Sequence, residues 1–325
     1  MKLPFYPNKP KSLELPEPPL ALPESPYLPD AGLQGAVNVA LYLGQPLLLT
    51  GEPGTGKTQL AYHLATQLDL GQPLLFETKS VSVARDLFYR YDALGRFHAA
   101  QASKFDDDFV PSKRAVDYLT YSALGEAIVL TQPLEAVQAN LPSDFKHGGV
   151  KRSVVLVDEV DKAPRDFSND ILNEVEAMYF RIPELGNVMI SADRSYRPIL
   201  IMTSNSEKHL PDAFLRRCAY YHINFPDEAR LEKIIDAHLA AIMPSPSKRF
   251  AEALEFFLSL REDSSGLHKK PSTAELLNWL YALHGLTESK QPLTEPHVDS
   301  TLSLLAKTKE DQKTVQRLFG EFNAI

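Results

Sequence analysis

Cysteine is almost absent from this chain, with one residue, Cys218, in 325. A lone thiol excludes an intramolecular disulfide and any zinc site built on paired cysteines, so stability has to come from packing and bound ligands. Long apolar runs are missing too. Stretches such as Pro46-Leu-Leu-Leu-Thr50 and Val154-Val-Leu-Val157 fall far short of the roughly 18 residues a bilayer span requires, so no membrane association is expected. The nine histidines are scattered, with no H-E-x-x-H and no close pair, which argues against a histidine-based metal site. Basic residues are in deficit, 34 against 42 acidic, and the net charge of -8 argues against broad adhesion to nucleic acid. Met1-Lys-Leu-Pro-Phe5 has one basic residue with no apolar segment behind it, so no secretory signal is expected and the expected location is cytoplasmic.

What is present in excess is proline, 25 in all with nine in the first 30 residues. Each lacks a donor and restricts the residue before it, so residues 1–29 are read as an extended arm. Leu13, Leu15, Leu20 and Leu22 are interleaved with the prolines. Two readings stay open, a segment laid in polyproline II form on the protein's own or a neighbour's surface, or a passive leader.

Beyond the arm the spacing predicts a helix over Leu33–Leu43, a short strand over Pro46–Thr50, a loop over Gly51–Gly56 and a helix over Lys57–Leu68. Further strands are expected at Leu74–Phe76, Val154–Val157 and Ile199–Met202. Apolar strands alternating with helical segments imply an α/β fold, a parallel sheet flanked by helices. This domain should run over residues 30–224, with insertions near 80–123 and 132–151 and a hairpin near 179–198. Phe225-Pro-Asp227 breaks the pattern. Helices are then expected at Glu228–Ala240, Ser247–Arg261, Ser272–His284 and Val298–Phe319, giving a smaller all-helical domain over residues 225–325.

The chemistry concentrates in two places. Gly51, Glu52, Pro53, Gly54, Thr55, Gly56, Lys57 and Thr58 satisfy G-x-x-x-x-G-K-[ST] between an expected strand and an expected helix. Glycines let successive N–H groups converge, and the helix start adds its positive dipole end, so polyphosphate charge meets fixed dipoles. Lys57 should reach the β and γ phosphates, and the Thr58 hydroxyl should serve Mg²⁺, a cation that takes hard oxygen ligands. Val154-Val-Leu-Val-Asp-Glu159 then sets two carboxylates at the end of a central strand. Asp158 is assigned to orient hydrated Mg²⁺ and Glu159 to polarise the attacking water.

With these motifs the chain resembles the AAA+ P-loop ATPases, and within them the MoxR family of the helix-2-insert clade. The family's Asp-Glu strand runs on to an Ala-Pro pair; here it reads Asp158-Glu-Val-Asp-Lys-Ala-Pro164, with Asp161 and Lys162 as substitutions in that frame. Ser168–Met178 is similar to the helix that follows. Ile199-Leu-Ile-Met-Thr-Ser-Asn205 resembles the sensor-1 strand, which makes Asn205 the residue expected near the γ-phosphate. Leu210-Pro-Asp-Ala-Phe-Leu-Arg-Arg-Cys218 resembles the arginine-finger segment, with Arg217 the better match and Arg216 beside it. Tyr179–Ser191 resembles the hairpin before sensor 1, and residues 80–123 fall at the helix-2 insertion. In Lys270-Pro-Ser-Thr-Ala-Glu-Leu-Leu-Asn-Trp279, Ala274 replaces the usual sensor-2 arginine, with Lys269 or Lys270 as possible substitutes.

The resemblance implies an ATPase using ATP and Mg²⁺, acting as a homo-oligomeric ring, in all expectation a hexamer, that remodels a partner such as a von Willebrand A-domain protein. Two alternatives stay open: a nucleotide-gated scaffold with little turnover, and, more weakly, an McrB-like nucleic-acid motor.

Overall fold

The computed structural model describes residues 26–105, 114–205, 210–239, 248–286 and 292–324. The arm expected over 1–29 therefore lies mostly outside the described residues, as do residues 106–113 of the insertion expected near 80–123. The chain forms two compact units, one of residues 29–51 and 57–223, the other of residues 224–325 together with 52–56 and the end of the arm. Among the described residues no helix is long and apolar enough to cross a membrane.

In the first unit the strands are β1 (Leu47–Gly51), β2 (Leu74–Glu77), β3 (Tyr89–Tyr91), β4 (Leu119–Tyr121), β5 (Val154–Asp158), β6 (Tyr179–Ile182), β7 (Val188–Ser191), β8 (Ile199–Ser204) and β9 (Ala219–Ile223). Its helices are α1 (Ala31–Leu43), α2 (Lys57–Gln67), α3 (Ala93–Phe105), α4 (Ala123–Val129), α5 (Leu134–Val137), α6 (Arg165–Asp170), α7 (Leu172–Ala177) and α8 (Asp212–Leu215). Five strands make one parallel sheet in the order β2-β5-β8-β1-β9. Every residue of β1, and Val154 to Val157 of β5, are buried, which is why these central strands read as unbroken apolar runs.

The sequence reading omitted β9. As the edge strand, Ala219-Tyr-Tyr-His-Ile223 keeps only Ile223 buried, so it carries no apolar run to betray it. Two more corrections concern helices. The segment expected as one helix over Ser168–Met178 is two, α6 and α7, meeting at Ile171. The helix expected over Val298–Phe319 is also two, described below.

Strands β3 and β4 pair antiparallel, with α3 between them in the chain, and β6 and β7 form an antiparallel hairpin. Its turn uses Gly186 at φ 77° and Asn187 at φ 62°, residue types that tolerate the left-handed region. The β3–β4 segment and the hairpin are joined: Glu184 accepts hydrogen bonds from Arg85 Nη1 at 3.1 Å and Tyr89 Oη at 2.8 Å. Behind them α4 is buried on nearly all sides, and Phe88 stacks on Phe180 at 5.4 Å.

The second unit is helical: α9 (Glu228–Leu239), α10 (Lys248–Arg261), α11 (Thr273–Leu286), α12 (Glu295–Leu305) and α13 (Lys309–Phe322). Trp279, Phe256, Phe257 and Phe319 fill its core, and Trp279 Nε1 donates to Thr301 Oγ1 at 2.8 Å. The break between α12 and α13 comes from Thr308, whose hydroxyl accepts from Asp311 N at 3.1 Å and starts a new helix. Leu28 O, at the end of the arm, accepts from Arg230 of α9 at 2.5 Å.

Candidate active site

The site begins where β1 runs into its loop. Gly51, Gly54 and Gly56 have φ of 146°, 77° and 86°, a backbone path closed to most side chains, and α2 starts at Lys57. Gly54 is also needed for space, since a Cβ there would stand 2.6 Å from Ser272 Oγ. Lys57 is buried and its ammonium donates to Gly51 O at 2.9 Å, which holds it along the loop. Within the loop Thr55 Oγ1 donates to Glu52 O at 2.8 Å, and Glu52 Oε2 pairs with Arg261 Nη2 at 2.7 Å. Pro53 is exposed.

Thr58 lies on the first turn of α2, and its hydroxyl donates to Asp158 Oδ1 at 2.9 Å. A second hydroxyl reaches the same oxygen: Thr203 Oγ1 donates to Asp158 Oδ1 at 2.6 Å and accepts from the backbone N–H of Glu159 at 2.8 Å. The register explains this meeting, because Val157 of β5 pairs with Met202 of β8 and the next step sets Asp158 beside Thr203. Thr203 escaped the sequence reading; its signal is a polar residue one step past a buried apolar run.

Glu159 sits in the left-handed region at φ 55°, uncommon for a residue with a side chain, and so leaves the strand direction at once. Its carboxylate accepts from Asn205 Nδ2 at 3.2 Å and forms an ion pair with Lys162. The Lys162 ammonium first, then the Asn205 amide and Lys57, hold Glu159 below the usual carboxylate range against partial desolvation, so it is ionised at neutral pH. Asn205 is itself fixed by its backbone N–H on Asp161 Oδ1 at 3.2 Å. The structure thus gathers Lys57, Thr58, Asp158, Glu159 and Asn205 and adds Thr203, Asp161 and Lys162.

Residues 46–218, more than half of the chain, match the AAA domain of the dynein-related subfamily. The chain belongs to that family. Its fold is the AAA+ P-loop fold, a parallel five-stranded sheet with flanking helices and a helical C-terminal region. An AAA domain is an ATPase-type domain, and such proteins commonly form oligomeric rings. No curated protein matches the chain. Among solved structures it is similar to a single-substitution variant of RuvB from Thermotoga maritima, with 15% identity and a TM-score of 0.45 over 86% of this chain and 69% of that one.

The donor set of this AAA domain fits a nucleotide with Mg²⁺. Thr58 and Asp158 offer only hard oxygens, 2.9 Å apart, at the start of α2. Mg²⁺ takes oxygen ligands and keeps several waters, so an ion here would be completed by water and phosphate.

The two candidate finger residues differ. Both are exposed; Arg217 Nε pairs with Glu176 Oε2 at 2.9 Å and its Nη1 donates to Ala213 O at 3.1 Å, whereas Arg216 makes no ion pair among the described residues. In the helical unit, Ala274 occupies the second position of α11. Lys270 is paired with Asp263 at 2.5 Å; the cation that reaches the loop is Arg261, which also donates to Pro271 O and lies 3.4 Å over the Phe225 ring. Arg261 is the last residue of α10, a short way before the segment that resembles sensor 2, and the sequence shows it only as the end of an expected helix.

Proposed function

We propose that this AAA protein hydrolyses ATP and uses the cycle, as a MoxR-like ring, to remodel a partner protein. The observation that carries the reading is the continuous chain of hydrogen bonds from Thr58 through Asp158 and Thr203 to Glu159 and Asn205. When bound, Mg²⁺ neutralises charge on the β and γ phosphates. The protein's own residues do the rest. Lys57 and the loop N–H groups bind and orient the polyphosphate, Asp158 orients the hydrated cation, and Glu159, ionised and held at the end of β5, accepts hydrogen-bond donation from the attacking water. Asn205 positions that carboxylate.

An arginine from a neighbouring subunit would complete the charge stabilisation and tie hydrolysis to assembly, with a hexamer as the proposed state. Both arginines are exposed, and the pairing of Arg217 with Glu176 is what supports Arg216 as that residue. The joined insertion and hairpin suit the role of coupling to a client, and a von Willebrand A-domain protein is the client proposed from the MoxR resemblance. The domain limits proposed are an arm over 1–29, the AAA domain over 30–224 and a helical lid over 225–325, in a cytoplasmic protein.

A Glu159→Gln variant should bind ATP as the wild type does and lose phosphate release; equal hydrolysis by the two proteins would refute the assignment. A second reading, a nucleotide-gated scaffold with little turnover, is favoured by one feature, the occupation of Glu159 by Lys162. Multiple-turnover phosphate release above an Arg216→Ala, Arg217→Ala background eliminates it.

A further inference from the structure

We propose that the pocket at the end of the parallel sheet away from the phosphate loop binds a small organic anion, a molecule with an acidic head and an apolar body. The pocket lies wholly within the first unit, where the end of α1 meets the starts of β1 and β8. It encloses about 250 Å³, near the lower end of the range for small-molecule sites. Val37, Leu47, Leu64 and Ile201, all buried, give it an apolar wall. At its rim Tyr42 and Leu43 are 90% and 57% exposed, so apolar surface stands open to an incoming body. The five residues of β1 put about 13 Å of strand between Leu47 in the pocket and Gly51 in the phosphate loop.

Arg152, Arg194 and Arg197 line the same space, and no lining residue is acidic. Among the described residues none of these arginines makes an ion pair. Two of them are oriented by carbonyl oxygens: Arg152 Nη2 donates to Ser195 O at 2.8 Å, and Arg197 donates from Nε to Gly44 O at 2.9 Å and from Nη2 to Glu176 O at 2.8 Å. The carboxylates nearby in the chain are engaged elsewhere, Asp193 accepting from Ser195 N–H at 2.7 Å and Glu176 pairing with Arg217. Carbonyl oxygens orient a guanidinium but leave its charge unmet. Burial accordingly pulls Arg197 below its ordinary value, with the Glu176 carboxylate acting the other way. Guanidinium groups match the oxygens of a carboxylate, sulfonate or phosphate head, and the apolar wall selects against a bare inorganic ion.

Anilinonaphthalene sulfonate, an aromatic anion whose fluorescence rises in apolar surroundings, is the probe for the full chain. It should bind at a single site whether or not ADP and Mg²⁺ are present. Octanoate should displace it, while octanol and inorganic phosphate at the same concentration should not. Arg194→Glu should weaken probe binding about tenfold, with thermal unfolding unchanged, because the Arg194 side chain holds no other residue among those described. Leu43→Asp should weaken it about fivefold from the apolar side. Displacement by ADP, or by octanol or phosphate as effectively as by octanoate, overturns the proposal. Wild-type affinity in Arg194→Glu overturns it too, as does loss of probe binding when the chain self-associates, which would make the pocket a contact between copies.

Discussion

Replacing Thr203 by Val isolates what one buried hydroxyl does for the site. Thr203 is fully buried, and Val has nearly its shape, so no cavity opens. Two bonds are lost, the donation to Asp158 Oδ1 at 2.6 Å and the acceptance from Glu159 N–H at 2.8 Å. A hydrogen bond to a charged group contributes about 1.5–3 kcal/mol, and a buried N–H left unpaired costs about 1–3 kcal/mol. Asp158 keeps the Thr58 hydroxyl, and the site of Glu159 is partly open to water, so the lower half of each range applies. The added methyl returns up to about 1 kcal/mol of apolar burial, leaving a net loss of about 2 kcal/mol. Native-state hydrogen exchange of the β5 and β8 amides should read this as exchange roughly 30-fold faster. Thr203→Ser keeps the hydroxyl and loses only a methyl, so it should cost about half as much. Turnover should fall in Thr203→Val as well, because the left-handed backbone at Glu159 costs about 1 kcal/mol and the Thr203 bond is what fixes it. Exchange within threefold of wild type, or a serine variant as damaged as the valine one, would refute the reasoning.

Gly125→Ala should cost about 3 kcal/mol or more, because the new Cβ would stand 1.9 Å from Phe88 O, a backbone atom that cannot swing away. Gly35→Ala, within α1 with nothing in reach of its Cβ, should stabilise by about 0.5–1 kcal/mol; thermal unfolding of both variants beside wild type checks the pair, and a similar sign for the two sinks the packing argument. Burial pushes the Cys218 thiol up to about 12 from its ordinary 9.0. Since the folded value lies above the unfolded one, this group's contribution to stability is complete below pH 9 and is lost as pH climbs towards 12. Native protein at pH 8 should accordingly react with a disulfide reagent at least tenfold more slowly than urea-unfolded protein, and equal rates would contradict the burial.

The parts of the site that could be read in advance are those whose function demands a contiguous pattern. The glycines, Lys57 and Thr58 must follow a strand and open a helix, so they are neighbours in the chain and their spacing carries the chemistry. Asp158 and Glu159 end an apolar run for the same reason. Thr203, Lys162 and Arg261 were missed because their contacts depend on how the backbone folds. Thr203 matters through the β5–β8 register, Lys162 through a left-handed turn that no residue type announces, and Arg261 through a loop more than 200 positions away in the chain. The two helix corrections are of another kind: the Thr308 cap is a local signal lying inside an apolar periodicity that continues across it.

The scarcity of cysteine, the absence of long apolar runs and the phosphate-loop motif determined by themselves that this is an α/β protein able to handle a polyphosphate, because composition and local spacing suffice for that. Which hydroxyls meet Asp158, which cation holds Glu159, and which of Arg216 and Arg217 is already occupied were decided only in the folded chain. Those contacts are set by strand register, by a backbone turned into the left-handed region, and by side chains brought together across long stretches of sequence, and no linear pattern encodes a distance of that kind.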